Sequence, residues 1–146
     1  MEEKMTHHCE VSVINCMDFR LQTGIYEFLV SLGYKNNFDL ISNAGSLKDL
    51  VEGDESESKK LLKDINVSYE LHKVRKFIII HHMDCGAYGG HDAFDGLEDE
   101  KIKQIEAMKK AAKIIKAKYS DVEIQMYLAR IGESDDEPKV DFEIVQ

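Results

Sequence analysis

The fold predicted from this sequence rests on residues 76–86, which read KFIIIHHMDCG. The apolar side chains of residues 77–80 are consecutive rather than alternating, which is typical of a strand that is covered on both faces in a parallel sheet. We therefore predict a central strand at residues 76–81, with helices packed on both sides of the sheet. Two histidines, an aspartate and a cysteine lie at the end of this strand, where open parallel sheets bind their ligands.

Four more strands are predicted around this segment from short β-branched or alternating runs that end at turn residues. They are expected at residues 10–15, 38–42, 122–131 and 140–145, and a turn is expected at residues 134–138. The last strand alternates apolar with acidic residues, as an exposed edge strand does.

Three helices are predicted between these strands. The first is closed by Gly33 as a C-terminal cap, and its apolar positions are Ile25, Phe28, Leu29 and Leu32. The second begins at a capping box formed by Asp54 and Glu57 and runs towards Lys73. The third has the apolar positions Ile102, Ile105, Met108, Ala112, Ile115 and Tyr119. The alternation of strands and helices predicts a three-layer α/β fold with a mainly parallel central sheet.

Length and charge exclude several classes of protein. The chain has 146 residues, which fits a single domain over residues 1–146, and its 43% apolar and 32% charged residues are typical of a soluble globule. A net charge of −9 repels nucleic acid and anionic membranes, so we expect neither as a partner. Because no apolar run is long enough for a membrane span or a secretory signal, we expect a cytoplasmic protein.

Two cysteines and a histidine are the candidate metal ligands. Cys16 follows the first predicted strand, and His82 and Cys85 follow the central one, so the three side chains can converge at one edge of the sheet. Two sulfurs and one nitrogen suit a tetrahedral Zn²⁺ with its fourth position open, the arrangement of catalytic zinc. The alternative is that the cysteines are small buried residues and the histidine a satisfied core group. His81 should face away from His82 in an extended strand, so we expect a structural role for it.

Asp18 and Arg20 are the candidate catalytic residues beside that site. The alternative is a surface ion pair, which contributes little to stability. Next to a metal, the arginine can keep the carboxylate ionised, and the carboxylate can orient a zinc-bound hydroxide or occupy the open position on the metal. His91, in the loop after the cysteine, is interpreted as a solvated surface residue in preference to a proton shuttle.

The order of these motifs resembles the signature of the β-class carbonic anhydrases. The motifs are Cys16-x-Asp18-x-Arg20, then Asn43-Ala44-Gly45, then His82-x-x-Cys85-Gly86, and the resemblance extends from about residue 11 to residue 145. It implies a strand order 2-1-3-4 with an added edge strand, zinc held by Cys16, His82 and Cys85, and an Asp18/Arg20 dyad. It also implies a homodimer, or a larger assembly built from it, with sites near the interface.

The activity implied by this resemblance is the reversible hydration of CO₂ to bicarbonate and a proton by a zinc-bound hydroxide. Two alternatives stay open: hydrolysis of carbonyl sulfide or carbon disulfide, and a zinc-binding homologue without catalysis. Because the first predicted strand begins at residue 10, we expect a short form of the family without the N-terminal helical arm. His81 stands where the family commonly has a small residue.

Overall fold

A computed structural model describes residues 7–132 and 139–146, and in these ranges five strands form one sheet. The strands are β1 (Val11–Cys16), β2 (Phe38–Asn43), β3 (Lys76–His82), β4 (Glu123–Gly132) and β5 (Lys139–Val145). Their order is β2-β1-β3-β4-β5; the first four are parallel to one another, and β5 is antiparallel to β4. This confirms the predicted α/β fold and strand order. The turn predicted at residues 134–138 lies outside the described residues.

Among the described residues, four helices and two single 3₁₀ turns lie between the strands. The helices are α1 (Gln22–Ser31), α2 (Lys48–Val51), α3 (Glu55–Glu70) and α4 (Leu97–Lys118). The 3₁₀ turns, Gly86–Tyr88 and His91–Ala93, lie in the loop between β3 and α4. The sequence predicted α1, α3 and α4 and missed α2, because four residues are too few for a helical period to be recognised.

Strand β3 is the centre of the molecule, as its apolar run predicted. Residues Phe77, Ile78, Ile79 and Ile80 are all completely buried. Phe77 and Ile79 pack into a core that also contains residues of α3 and α4, whereas Ile78 and Ile80 pack into a second core with residues of α1. The consecutive apolar residues are therefore needed because the sheet is covered on both faces.

The predicted start of α3 and the predicted cap of α1 are both present. The Asp54 carboxylate accepts a hydrogen bond from the Glu57 amide at 2.8 Å, and the Glu57 carboxylate accepts one from the Asp54 amide at 3.1 Å. Gly33 has a φ of +91°, a left-handed conformation that glycine adopts without steric cost. Helix α3 ends at Glu70, slightly before the predicted Lys73.

The buried face of α4 was predicted only in part. Met108, Ile115 and Tyr119 are buried as predicted, whereas Ile102 is 47% exposed. Glu100, Gln104 and Ala111 are also buried. Apolar periodicity missed Glu100 and Gln104 because they are polar side chains that hydrogen-bond to residues of β3 and of the loop that follows it.

In the described ranges, no helix combines the length and the apolar character needed to span a bilayer.

Candidate metal centre

The parallel sheet brings the three predicted ligands together. Cys16 is the last residue of β1, His82 is the last residue of the adjacent strand β3, and Cys85 follows three residues later. All three side chains are buried, and their ligand atoms lie within 4.8 Å of one another. The arrangement follows from the fold, because the carboxyl ends of neighbouring parallel strands lie at the same edge of the sheet.

The ligand atoms fit a tetrahedral zinc ion. The Sγ atoms of Cys16 and Cys85 are 3.9 Å apart. Two sulfurs that are each about 2.3 Å from a tetrahedral zinc lie about 3.8 Å apart. The Nδ1 atom of His82 donates to the Met83 carbonyl at 2.8 Å, which leaves Nε2 with a free lone pair. That Nε2 atom is buried and has no hydrogen-bond partner, as expected of a metal-binding nitrogen.

The two thiols have unequal proton affinities. Hydrogen bonding to Cys85 lowers the pKa of Cys16, and the nearby His82 and the Gly45 amide act in the same direction. The same contact raises the pKa of Cys85, because that thiol lies beside the Cys16 charge in a buried site. Cys16 therefore loses its proton more readily than Cys85 does, and a bound cation would favour the thiolate form of both.

The Asn43-Ala44-Gly45 segment supports Cys16. The Gly45 amide donates to the Cys16 sulfur at 3.4 Å, and the Met17 amide donates to the Asn43 carbonyl at 2.9 Å. Gly45 has a φ of +78°, and a Cβ atom at this position would be 2.9 Å from the Cβ of Lys48. A side chain at residue 45 would therefore push the amide donor away from the sulfur.

Asp18 and Arg20 form an ion pair, and its geometry is bidentate. The Arg20 Nε atom donates to Asp18 Oδ1 at 3.1 Å, and one Nη atom donates to Oδ2 at 2.7 Å. These bonds to Arg20 hold the pKa of Asp18 below its ordinary value, so the carboxylate is ionised. Its Oδ2 atom lies 4.0 Å from His82 Nε2, directly beside the candidate ligands.

Two residues that the sequence analysis missed complete this constellation. Asp84 accepts hydrogen bonds from Arg20 through its Oδ2 atom at 3.2 Å and through its carbonyl at 3.1 Å. The Gln22 amide donates to the carbonyls of Cys16 at 2.9 Å and Asp18 at 2.7 Å. The position of Asp84 between two candidate ligands could have identified it as part of the site. Nothing in the sequence around Gln22 indicates its contacts.

The two histidines at the end of β3 face different surroundings, as predicted. His81 Nδ1 is 2.9 Å from Gln104 Oε1 on α4, inside the core. Complete burial lowers the pKa of His81 to about 4, so its imidazole is neutral at pH 7. A neutral side chain bound to a core amide agrees with the structural role expected for His81.

His91 lies at the surface, as it was interpreted, and it also contacts a buried carboxylate. Its side chain is 48% exposed, but its Nδ1 atom is 2.6 Å from Oε1 of the buried Glu100. The sequence analysis did not find this contact because it did not place Glu100 in the core.

Comparisons with known proteins identify the family of this chain. The sequence profile of the family described as "Putative carbonic anhydrase" matches residues 6–133. An uncharacterized protein of Rickettsia bellii is 30% identical over 129 residues, which are 86% of this chain and 79% of that protein.

Two solved structures share the fold. The β-carbonic anhydrase CcaA aligns with a TM-score of 0.58 at 12% identity, over 84% of this chain and 75% of that one. The β-carbonic anhydrase CafD of Aspergillus fumigatus aligns with a TM-score of 0.53 at 14% identity, over 84% of both chains. Because the profile match covers strands β1 to β4 and all three candidate ligands, the chain belongs to this carbonic-anhydrase-like family.

Proposed function

We propose that this protein is a zinc lyase that hydrates CO₂ reversibly to bicarbonate and a proton. The observation that supports it most is the convergence of two cysteine sulfurs and the unpartnered His82 Nε2 beside an ionised, arginine-held carboxylate. Cys16, His82 and Cys85 would hold Zn²⁺. When bound, this ion supplies a Lewis acid that lowers the pKa of a coordinated water towards neutrality.

Asp18 and Arg20 align the attacking oxygen. Asp18, ionised and 4.0 Å from His82 Nε2, accepts a hydrogen bond from the nucleophile and so directs its lone pair towards the carbon of CO₂. Arg20 holds both oxygens of Asp18 and thereby limits the rotation of the carboxylate. The proton released in the reaction must leave to solvent for the next turnover to begin.

Metal analysis combined with a stopped-flow CO₂ hydration assay tests this proposal. We expect one zinc per chain and rapid hydration, with both lost in Cys85→Ser. Cys9→Ser is the matched control, because Cys9 is also a free cysteine but precedes β1 at the opposite end of the strands. If the protein binds zinc and does not hydrate CO₂ but turns over carbonyl sulfide or carbon disulfide, its substrate is a sulfur analogue of CO₂. Zinc without any turnover would indicate a binding protein.

We propose that a second copy of the chain covers the apolar residues next to the site. Phe19 is 88% exposed and Met17 is 62% exposed, on either side of Asp18. Exposed apolar side chains at this density are typical of an interface. Light scattering at micromolar concentration should show a dimer or a larger assembly, and Phe19→Ser should shift it towards monomer. A wild-type protein that stays monomeric would contradict this assembly.

We also propose a cytoplasmic location. Cys16 and Cys85 are free thiols whose sulfurs are 3.9 Å apart, and a reducing compartment keeps such a pair available as metal ligands. Fractionation of the cells that produce the protein should recover it with the cytoplasmic enzymes.

A further inference from the structure

Glu100 is a charged side chain in an unexpected place. It lies in the first turn of α4 and is completely buried, and no other aspartate or glutamate among the described residues is buried to this degree. The helix N-terminus favours a negative charge there. Removing a carboxylate from water is nevertheless costly unless its oxygens are hydrogen-bonded, so its partners show what it does.

Both partners of Glu100 belong to the loop that carries Cys85. The Asp84 amide donates to Oε2 at 2.6 Å, and His91 Nδ1 donates to Oε1 at 2.6 Å. Each carboxylate oxygen thus holds one end of the segment from residue 84 to residue 91. The bond to His91 also brings a group that can carry a positive charge next to the buried negative one.

Asp84 needs such support because of its backbone conformation. Its φ is +58°, in the left-handed region that residues with a side chain rarely occupy. In this conformation Asp84 presents its carbonyl and its Oδ2 atom to the guanidinium of Arg20, while its Oδ1 atom accepts from the His91 amide at 3.0 Å. A relaxed backbone at residue 84 would redirect both of the acceptors that Arg20 uses.

We propose that Glu100 is a positioning residue that acts on the catalytic dyad through Asp84. Its carboxylate holds the Asp84 amide, Asp84 holds Arg20 through two acceptors, and Arg20 holds Asp18. Arg20 therefore lies between two carboxylates, and its orientation depends on both. The consequence for turnover rests on the proposed function, whereas the hydrogen-bonded chain can be tested without it.

The first test measures the orientation of Arg20 directly. Glu100→Gln has nearly the same shape, but an NH₂ group replaces one of the two oxygens and cannot accept a hydrogen bond there. We expect solvent exchange of the Arg20 Nε proton, followed by NMR on the zinc-loaded and metal-free protein, to accelerate about tenfold. Glu98→Gln is the matched control, because it removes the same charge from the exposed side of the same helical turn and should leave exchange unchanged.

The second test measures turnover. With zinc content unchanged, Glu100→Gln should lower kcat for CO₂ hydration by about 10- to 100-fold, the range seen when residues that orient a metal site are altered. Glu98→Gln should retain the wild-type rate. A wild-type protein without CO₂ hydration activity would contradict the proposed function. The exchange rate of the Arg20 Nε proton would still test the role of Glu100 in that case.

A third variant covers the case in which Glu100→Gln does not fold. His91→Ala keeps the buried carboxylate and its packing but removes one of its two partners, so exchange of the Arg20 Nε proton should rise severalfold. If Glu100→Gln folds and its Arg20 Nε proton exchanges at the wild-type rate, the proposal is wrong. If Glu100→Gln does not fold, a wild-type exchange rate of this proton in His91→Ala would overturn the proposal.

Discussion

The two ends of the sheet contain similar residues in different states of hydrogen bonding. At the amino end of the strands, His72 Nδ1 lies 2.7 Å from Asp39 Oδ2, and Ser68 donates to the same oxygen at 2.8 Å. Ser68 thus uses its only hydroxyl proton on Asp39, so Ser12 donates to Ser68 at 3.0 Å. At the carboxyl end, His82 Nε2 has no partner and faces two sulfurs.

This difference separates a structural polar network from a ligand site. Asp39, Ser68 and Ser12 form a continuous chain of hydrogen bonds, so nothing further is needed to stabilise it. At the other end, the buried His82 Nε2 atom has no partner, and a cation bound between it and the sulfurs of Cys16 and Cys85 would supply one.

The largest expected effect compares the two histidines. His82→Ala should lower zinc affinity by more than about 100-fold, because it removes one of three protein ligands. His72→Ala should keep the wild-type affinity and lower the free energy of unfolding by about 1 kcal/mol, through the loss of its bond to Asp39. Chelator competition measures the first effect and urea unfolding the second. Equal zinc affinity in the two variants would show that the carboxyl end of the strands is not the metal site.

The next effect compares two aspartates that both bond to a basic side chain. Asp18→Asn should keep zinc and lower the CO₂ hydration rate by about 100-fold, since an amide neither carries the charge that Arg20 stabilises nor accepts hydrogen bonds through two oxygens. Asp39→Asn should leave the rate per bound zinc unchanged. Stopped-flow rates normalised to metal content check both, and a wild-type rate in Asp18→Asn would exclude its role in the reaction.

The smallest effect is a pH dependence that arises from His91. The bond to Glu100 raises the pKa of His91 above its ordinary value of 6.5, so the folded state binds this proton more tightly than the unfolded state. The resulting stabilisation is complete below pH 6.5 and is lost as the pH rises through the raised pKa. Glu100, Asp84 and Asp92 are the charged groups that face this imidazole.

Urea unfolding of the metal-free protein measures this dependence. The difference in stability between wild type and His91→Gln should be larger at about pH 5.5 than at about pH 9. Because the imidazole is half exposed, solvent screening limits the change to a few tenths of a kcal/mol. A difference that grows with pH would contradict the stated direction.

The fold and the three candidate metal ligands could be predicted from patterns in the linear sequence. A consecutive apolar run required a strand covered on both faces, and parallel strands put Cys16, His82 and Cys85 at one edge whatever the path of the loops. The spacing of Asp18 and Arg20 likewise suggested a local pair. These features depend on strand direction and on short separations along the chain. They can therefore be predicted from the order of residues in the sequence.

The residues that support the site could not be predicted from the sequence. Glu100 and Gln104 are polar residues at core positions of α4, and a pattern of apolar residues excludes such positions. Their partners are in the loop after β3 and at His81, and the contacts depend on the left-handed conformation of Asp84 and on side-chain rotamers. Hydrogen bonds between distant segments follow from three-dimensional packing, because sequence separation does not encode which donor faces which acceptor.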